Sequence, residues 1–469
     1  MLKNPYSNIF IDDQLGPLAL ERYRRRRREL VKTVGHLIVI SGVMQAPSGV
    51  NKWALLDVPV YQDPLLLYLT GINQPGVILL LDPTNPDEEI LFLDSRNRDM
   101  EFWEGVHFGV GDSESEELVR SVTGIQSVRH IRNFQTVIKD LLTRNEAQPL
   151  GMFWHENQAH TKRTRDYHYD LLQKMKRFLK QAHLPNLIVN IASVQWEFRF
   201  RLDDQDIKNA RIANEKTTAA FTAVLTDRSL FSSEMTVAGA LVGELRKQSP
   251  YGVSFPSIVA GGQNACVLHY NKNDDPFEGD ELLLLDFGVR WGNMHADVSR
   301  TIPVNGRFNP LQALLYQIVY DAQAVVEKAV RPGITIRQLN EHCWAFIEHA
   351  LQTRFRDKGG IAMVPYKGQP HNVSHLIGLQ VHEGDSFREY RDLPLKSGWM
   401  ISNEPGLYGY FEWQIEGKTY AQHIGIRLED DLLVTNAGCL NLTTCPKSMA
   451  EIEALSGISQ GDLTAVTAT

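Results

Sequence analysis

Short apolar runs separated by helical periods dominate the first part of the chain. Residues 36–44 and 76–82 have the pattern of buried strands, and strand and helix signals alternate up to about residue 190. Residues 187–191 have the pattern of a last strand, because a long helical period replaces the short apolar runs beyond them. The alternation predicts a small α/β domain over residues 1–190.

Three helix starts are recognisable in the rest of the chain. Acidic residues from Asp203 onward precede a helical period that continues to Leu225, as the helix dipole favours. Asn309 followed by proline begins a second helix, and Thr335 with Gln338 forms a capping box for a third. Residues 191–469 are therefore predicted to form a second, larger domain.

Four consecutive leucines, residues 282–285, lead directly into Asp286 and predict a strand buried on both faces. A hairpin that turns at Trp291 and Gly292 would place Asp286 opposite Asp297, with the Cβ atoms about 5 Å apart on one face. Two carboxylates at such a short distance cannot both stay ionised without a positive charge between them. A hard divalent cation usually supplies this charge. The hairpin alone leaves open that the two aspartates merely flank a surface turn.

Three further stretches carry residues able to bind metal or substrate. They are His371, His375 and His382; Glu404 before Pro405; and Arg427 with Glu429 on one face of an alternating strand. Each stretch alone is more often structural. Taken with the hairpin, they supply four carboxylates and one imidazole, which is a ligand set for two adjacent hard divalent ions.

Composition narrows the possible classes of protein. A chain of 469 residues, 43% hydrophobic and 22% charged, has ordinary globular composition and is long enough for two domains. The net charge of -8 argues against a protein that binds nucleic acids or anionic membranes in general, because both need a basic surface. Five arginines, residues 24–28, would surround a helix on all sides, so the pattern favours a solvated helix over a nucleic-acid patch.

The cysteines and the N-terminus predict a cytoplasmic protein. Asp12 and Asp13 lie where a signal peptide would need its apolar core, and no apolar run is long enough to span a membrane. The cysteines show no CxxC spacing, which favours reduced thiols. They are Cys266, Cys343, Cys439 and Cys445.

These motifs resemble those of the pita-bread metallopeptidases and, within them, aminopeptidase P (Xaa-Pro aminopeptidase). The resemblance covers most of the chain, and all five ligand types occur in the expected order. The matching segments are residues 264–270, 286–301, 374–382, 404–408 and 425–431, together with Asp63, residues 68–71 and residues 74–77 of the first domain.

The resemblance implies an α/β (α+β) fold with a C-terminal pita-bread catalytic domain and two divalent metal ions, manganese by likeness to the family. Asp286 would bind one metal, Asp297 and Glu429 would bridge the two, and His375 with Glu404 would complete the other site. Glu404 would also act as general base for a bridging hydroxide.

The same resemblance implies the substrate-facing residues. His269 and His382 would point toward the scissile carbonyl, where an NH donor stabilises the oxyanion. His371, Tyr408 and Arg427 would form the wall on the proline side.

The sequence departs from the family pattern at three positions. Asn372 follows His371 where the family usually has glycine, and Asn403 precedes Glu404 where an apolar residue or threonine is common. His295 stands where small residues are frequent. None of these departures removes a ligand, but they bear on substrate fit.

The predicted function is a cytoplasmic dimetal exopeptidase that removes the N-terminal residue from peptides with proline second. The family implies a homodimer or homotetramer in which the first domain meets a neighbour's active-site mouth. Prolidase, an Xaa-Pro dipeptidase, is the nearest alternative, although residues 407–425 hold no evident dipeptide-capping insertion. A non-catalytic pita-bread peptide-binding protein and creatine amidinohydrolase are disfavoured by the complete ligand set, and methionine aminopeptidase by the first domain.

Overall fold

The computed structural model describes residues 17–43, 62–85, 89–144, 148–154, 167–194, 198–384 and 388–457. The chain forms two compact units, Met1–Arg199 and Phe200–Thr469. The acidic pair used to argue against a signal peptide lies outside the described residues. Within the described ranges, no helix combines the length and apolarity needed to cross a bilayer.

A mixed six-stranded sheet in the order β4-β3-β2-β1-β5-β6 forms the centre of the first unit. The apolar runs fill its core because their strands bury both faces, and the predicted α/β character is confirmed. The strands are β1 Leu37–Ser41, β2 Ile78–Leu81, β3 Ile90–Leu93, β4 Ser127–His130, β5 Leu150–Met152 and β6 Ile188–Asn190. The helices are α1 Pro17–Val34, α2 Pro64–Thr70, α3 Arg98–Glu104, α4 Ser113–Thr123, α5 Phe134–Arg144 and α6 Tyr167–Gln181.

The arginine-rich helix α1 is not the solvated helix that the sequence predicted. Arg26 and Arg27 are buried, whereas Arg25 and Arg28 are exposed. Arg27 donates to the carbonyls of Leu69 and Thr123, each at 2.9 Å, and these residues lie at the C-terminal ends of α2 and α4. The guanidinium groups are buried because they satisfy carbonyls that a helix end leaves unpaired and lie at the negative ends of helix dipoles.

The second unit contains three small sheets and a two-stranded ribbon. The sheets are β11-β8-β7, β12-β14-β15 and β13-β16-β17, and β9 pairs with β10. The strands are β7 Ile258–Gly261, β8 Leu282–Phe287, β9 Arg290–Trp291, β10 Met294–His295, β11 Val298–Pro303, β12 Ile361–Met363, β13 Met400–Asn403, β14 Gly406–Ile415, β15 Lys418–Arg427, β16 Asp430–Val434 and β17 Cys439–Asn441. The helices are α7 Asp204–Thr226, α8 Glu234–Gln248, α9 Pro310–Ala329, α10 Ile336–Ala350 and α11 Met449–Leu455.

The predicted helix starts are confirmed. Asp203 caps α7, and Asn309 caps α9 with Pro310 in the first turn. Thr335 and Gln338 form the expected capping box at the start of α10. These signals are local, so the sequence alone was enough to locate them.

The predicted hairpin register is wrong by one residue at the turn. The loop is Gly292 and Asn293 rather than Trp291 and Gly292, and Asp286 pairs with Ser299 instead of Asp297. Gly292 has φ +55°, so it takes the first loop position, where a two-residue turn of this hand requires glycine. The pairing changes by two residues, and a two-residue change keeps every side chain on its original face.

Replacing Arg27 by methionine should destabilise the first unit by about 3 kcal/mol, because it leaves buried carbonyls and the Glu89 carboxylate without their partner. Arg27 Nη2 lies 2.7 Å from Glu89 Oε2. The midpoint of the first urea transition of the whole chain measures the effect. Arg28→Met is the matched control, since that side chain is 60% exposed, and it should change stability by less than about 0.5 kcal/mol. Equal urea midpoints for the two variants would contradict the conclusion that Arg27 stabilises the first unit through its buried hydrogen bonds.

Candidate metal centre

Three carboxylates from different strands converge in one buried pocket of the second unit. Asp286 lies on β8, Asp297 directly precedes β11, and Glu429 lies between β15 and β16. All three are buried, and each offers an oxygen within 4.8 Å of the others. The predicted proximity of Asp286 and Asp297 is therefore confirmed even though the two residues are not a cross-strand pair.

His375 and Glu404 extend this cluster on its other side. The His375 backbone pairs with β13, since Ser402 N donates to His375 O (2.9 Å), and this pairing brings the ring beside Glu404. His375 Nε2 lies 3.4 Å from Glu404 Oε1, 3.5 Å from Asp297 Oδ2 and 3.8 Å from Glu429 Oε1. The other ring nitrogen, Nδ1, donates to Leu376 O (3.1 Å), which leaves Nε2 with a lone pair directed at the cluster.

Burial and mutual repulsion raise the pKa values of the clustered carboxyls. Burial contributes most for Asp297, followed by the negative charges of Glu429 and Asp286. The pKa of Glu404 is raised for the same two reasons. Burial, then the charge of Asp286, raises the pKa of Glu429 to about 7. Without cations the cluster therefore retains protons that isolated carboxylates would lose.

Arg427 is fixed to the cluster by direct hydrogen bonds. Its Nη2 donates to Asp286 Oδ2 at 2.6 Å, and its Nε donates to Ser299 Oγ at 2.8 Å. The Ser299 hydroxyl in turn donates to Glu429 Oε2 (2.8 Å). Arg427 thus lines the pocket as predicted, but its guanidinium also orients two of the carboxylates, which the sequence did not indicate.

His371 lines the adjoining side of the pocket, whereas Tyr408 is 1% exposed, is not among the described lining residues and supports His371 from behind. His371 Nδ1 donates to Asn372 O (2.8 Å), so Nε2 accepts from the Tyr408 hydroxyl at 3.0 Å. Burial lowers the pKa of His371 to about 4, which keeps the ring neutral and this tautomer in place. The Tyr408 ring lies against Gly406, where a Cβ atom would collide with the phenolic oxygen. The Trp344 ring meets His371 edge-on at 5.7 Å.

His269 and His382 lie at the open side of the pocket. Both side chains are exposed, and their ring centroids are 6.3 Å apart. The His382 ring is 4.3 Å from that of His375. His382 also offers a nitrogen within 4.8 Å of atoms of Asp297 and His375, so the geometry permits it a role as a metal ligand as well.

Two of the three residues that depart from the family pattern, Asn403 and His295, are buried in the interior. Asn403 Nδ2 donates to Gln323 O of α9 (3.0 Å), and neither Asn403 nor His295 is among the described residues that line the pocket. Asn372 does line it. Its side chain accepts from Asn340 Nδ2 (2.7 Å), an interaction that only the folded chain reveals.

The pocket also has lining residues to which the sequence assigned no role. Leu268 adjoins His269, and Arg391 comes from a short 3₁₀ segment, residues 388–392. No periodicity or ligand spacing marks Arg391, so it was not recognisable before the fold was known.

Two family models match this chain. Residues 208–436 match the model of metallopeptidase family M24, and residues 23–150 match that of the aminopeptidase P N-terminal domain. Xaa-Pro aminopeptidase 2 of Streptomyces coelicolor is 30% identical over 451 residues, covering 89% of this chain and 86% of the relative.

Two solved structures are similar along nearly the whole chain. Proline aminopeptidase P II from Yersinia pestis has a TM-score of 0.74 at 25% identity and covers 94% of this chain and 100% of its own. Aminopeptidase P from Escherichia coli with the inhibitor Pro-Leu has a TM-score of 0.74 at 25% identity, covering 93% of this chain and 98% of its own.

The metal-free protein should lose stability as pH rises from 5 to 8. Acids whose pKa is raised by folding stabilise the folded state fully below their unfolded pKa, near 4, and this contribution is lost as pH passes the folded value, about 7 for Glu429. The expected change is on the order of 3 kcal/mol for this one residue. Melting temperatures in excess chelator measure it.

Glu429→Gln should reduce the slope of this pH profile, because glutamine carries no titrating proton and lacks the negative charge that helps to raise the pKa values of Asp297 and Glu404. Glu341→Gln, an exposed change on α10, is the control and should leave the slope as in the unmodified protein. A chelated protein whose melting temperature rises between pH 5 and 8 would contradict the electrostatic account.

Proposed function

Because the chain belongs to metallopeptidase family M24, as a member of its aminopeptidase P group, we propose that it removes the N-terminal residue of peptides with proline second. The observation that supports this most is the convergence of Asp286, Asp297, His375, Glu404 and Glu429 in one buried pocket. Water activated as a hydroxide bridging two divalent cations is the proposed nucleophile.

The donor set fits two hard divalent ions. Four carboxylates and one neutral imidazole nitrogen balance two dications, and oxygen-rich sites suit manganese. Asp286 Oδ1 is buried and has no hydrogen-bond partner among the described residues, which is the condition expected of a ligand atom. Asp286 and the two bridging candidates Asp297 and Glu429 would hold one ion, and His375 with Glu404 would complete the second.

Glu404 is the proposed general base. Its carboxylate lies in the cluster that would hold the cations, where it can accept a proton from water and deliver that proton to the leaving group. The prolyl nitrogen is a tertiary amide in the substrate and leaves as a secondary amine, so it requires this proton. Ser402 Oγ, 3.3 Å from Glu404 Oε1, holds the carboxylate in place.

The substrate is proposed to bind between the histidines and the wall. His269 and His382 would donate to the scissile carbonyl as negative charge develops on its oxygen. His371 presents a flat, uncharged face against which a proline ring can pack, and the buried Tyr408 holds this imidazole in place. Arg427 would act chiefly through Asp286, to which its guanidinium is already bonded.

The location and the oligomeric state that we propose are those expected from the sequence. We propose a cytoplasmic enzyme, in keeping with four cysteines that are all free thiols. A homodimer or homotetramer, with the first domain near a neighbour's site, remains part of the proposal.

Chelation should abolish activity and lower the melting temperature, and manganese should restore both, because the carboxylates repel one another without cations. Asp297→Asn and Glu429→Gln should lose bound metal in elemental analysis. His382→Ala is the matched control from the same pocket. It should retain metal while turnover falls by about 10²-fold, the cost of one oxyanion donor.

Two results would overturn these assignments. Full activity after dialysis against excess chelator would exclude the dimetal mechanism. Metal loss in His382→Ala would make His382 a ligand and call for reassignment of His375.

Replacing proline by alanine in the second position of a tripeptide should lower kcat/KM at least tenfold, about 1.4 kcal/mol of transition-state binding. The ring's packing and its preset φ are lost together. Steady-state kinetics on matched tripeptides measures the difference. A tripeptide and a pentapeptide with proline second should both be cleaved.

Hydrolysis of dipeptides alone would identify a prolidase instead. Equal rates for alanine and proline would mean that His371 and Tyr408 do not form a proline-binding wall.

A further inference from the structure

One buried carboxylate on α8 organises a loop at the edge of the pocket. Glu234 is the first residue of α8 and is 1% exposed. Its Oε1 accepts hydrogen bonds from Gly261 N (2.7 Å) and Asn264 Nδ2 (2.9 Å). Its Oε2 accepts from the Tyr270 hydroxyl (2.7 Å) and Asp275 N (3.1 Å). The four donors are spread over the end of β7 and the loop that follows, so this one side chain holds the loop at several points.

The same loop carries His269 and Leu268, which line the pocket. His269 is exposed, and its ring makes no hydrogen bond to any described residue. The next residue, Tyr270, is buried and bonded to Glu234. Apart from the His382 ring, whose centroid is 6.3 Å away, the loop backbone therefore sets the location of the His269 ring.

The residues that donate hydrogen bonds to Glu234 also bond to one another. Asn264 Nδ2 also lies 3.1 Å from the Tyr270 oxygen and 2.8 Å from Asp275 Oδ2. Burial, reinforced by the Glu234 carboxylate, raises the pKa of Tyr270, so its hydroxyl remains a donor at neutral pH. Four hydrogen-bond donors satisfy the oxygens of this buried carboxylate without a metal ion.

A cation site at this place is disfavoured by the charges already present. Glu234, Asp274 and Asp275 offer oxygens within 4.8 Å of one another. Lys272 Nζ, however, lies 2.9 Å from Asp274 Oδ1 and 3.4 Å from Asp275 Oδ1. The lysine and the hydrogen-bond donors satisfy these carboxylates, so the cluster is a structural anchor and not a third metal position.

We propose that Glu234 is a positioning residue for the reaction, which holds the His269 loop so that this histidine reaches the scissile carbonyl. This inference rests on the proposed function, because it assumes that His269 acts there. The loop is anchored to α8, which precedes β7 in the chain, whereas all the proposed metal ligands follow β7. Glu234 can therefore be replaced without changing a proposed ligand.

Glu234→Gln tests the proposal, because the amide NH₂ would face donors where an oxygen is required. We expect kcat on Xaa-Pro tripeptides to fall about tenfold, part of the roughly 10²-fold loss expected of His269→Ala, with KM and metal content little changed. Amide hydrogen exchange should accelerate in residues 262–270 and not around His375. Glu278→Gln, the same change at an exposed position of the same loop, should leave kcat and exchange unchanged.

A double-mutant cycle decides whether Glu234 acts through His269. In the His269→Ala background, Glu234→Gln should lower kcat by less than about twofold, since nothing remains to be positioned. A further tenfold loss there, or unchanged exchange in residues 262–270, would overturn the proposal. Tyr270→Phe, which removes a single hydroxyl, gives the same comparison if Glu234→Gln folds poorly.

Failure of the proposed function would look different. In that case the unmodified protein would not cleave Xaa-Pro peptides at all, while hydrogen exchange would still report whether Glu234 holds the loop. If the unmodified protein is active and His269→Ala keeps full turnover, the positioning role is overturned and the dimetal peptidase activity stands.

Discussion

The repulsion among four carboxylates enclosed in one pocket is the constraint on which the catalytic unit depends. Each carboxylate would be ordinary at the surface, but burial makes their shared negative charge costly. The surrounding structure supplies partial compensation, with Arg427 on Asp286, the Ser299 hydroxyl on Glu429 and the Ser402 hydroxyl near Glu404. The remaining charge is what two dications would neutralise, so metal binding and folding of this region are expected to be linked.

The proposed substrate wall and the carboxylate cluster share one chain of contacts. His371 meets Tyr408, the Tyr408 hydroxyl lies 3.4 Å from Arg427 Nη1, and Arg427 holds Asp286. A displacement of the wall is therefore transmitted to a carboxylate of the cluster. The hydrogen bonds that hold the His269 loop run to Glu234 on α8, although Leu268 and Tyr270 of this loop share an apolar cluster with Tyr408.

The sequence predicted what depends on local or periodic signals, and it failed where distant residues decide. Caps such as Thr335 with Gln338, and the five ligand types, were recognisable from spacing and from family resemblance. The hairpin turn was misplaced because Gly292 can occupy either position of a two-residue loop, and the alternation of faces nevertheless kept Asp286 and Asp297 together. The burial of Arg27 depends on carbonyls of Leu69 and Thr123, far away in the chain, and could not be read from α1. Glu234 has no motif at all, since its four donors lie from 27 to 41 residues away.

The linkage from His371 to Asp286 also limits how this enzyme can diversify. A substitution at Tyr408 or Arg427 that admits a new side chain after the cleaved bond disturbs a carboxylate of the cluster in the same step, so new preferences on that side require compensating changes elsewhere. Leu268 touches this chain of contacts only through the apolar cluster that it shares with Tyr408, and the hydrogen bonds of its loop run to Glu234 on a separate helix. Directed evolution of altered peptide preference should therefore begin with libraries at Leu268, with His269 and the residues bonded to Glu234 kept unchanged.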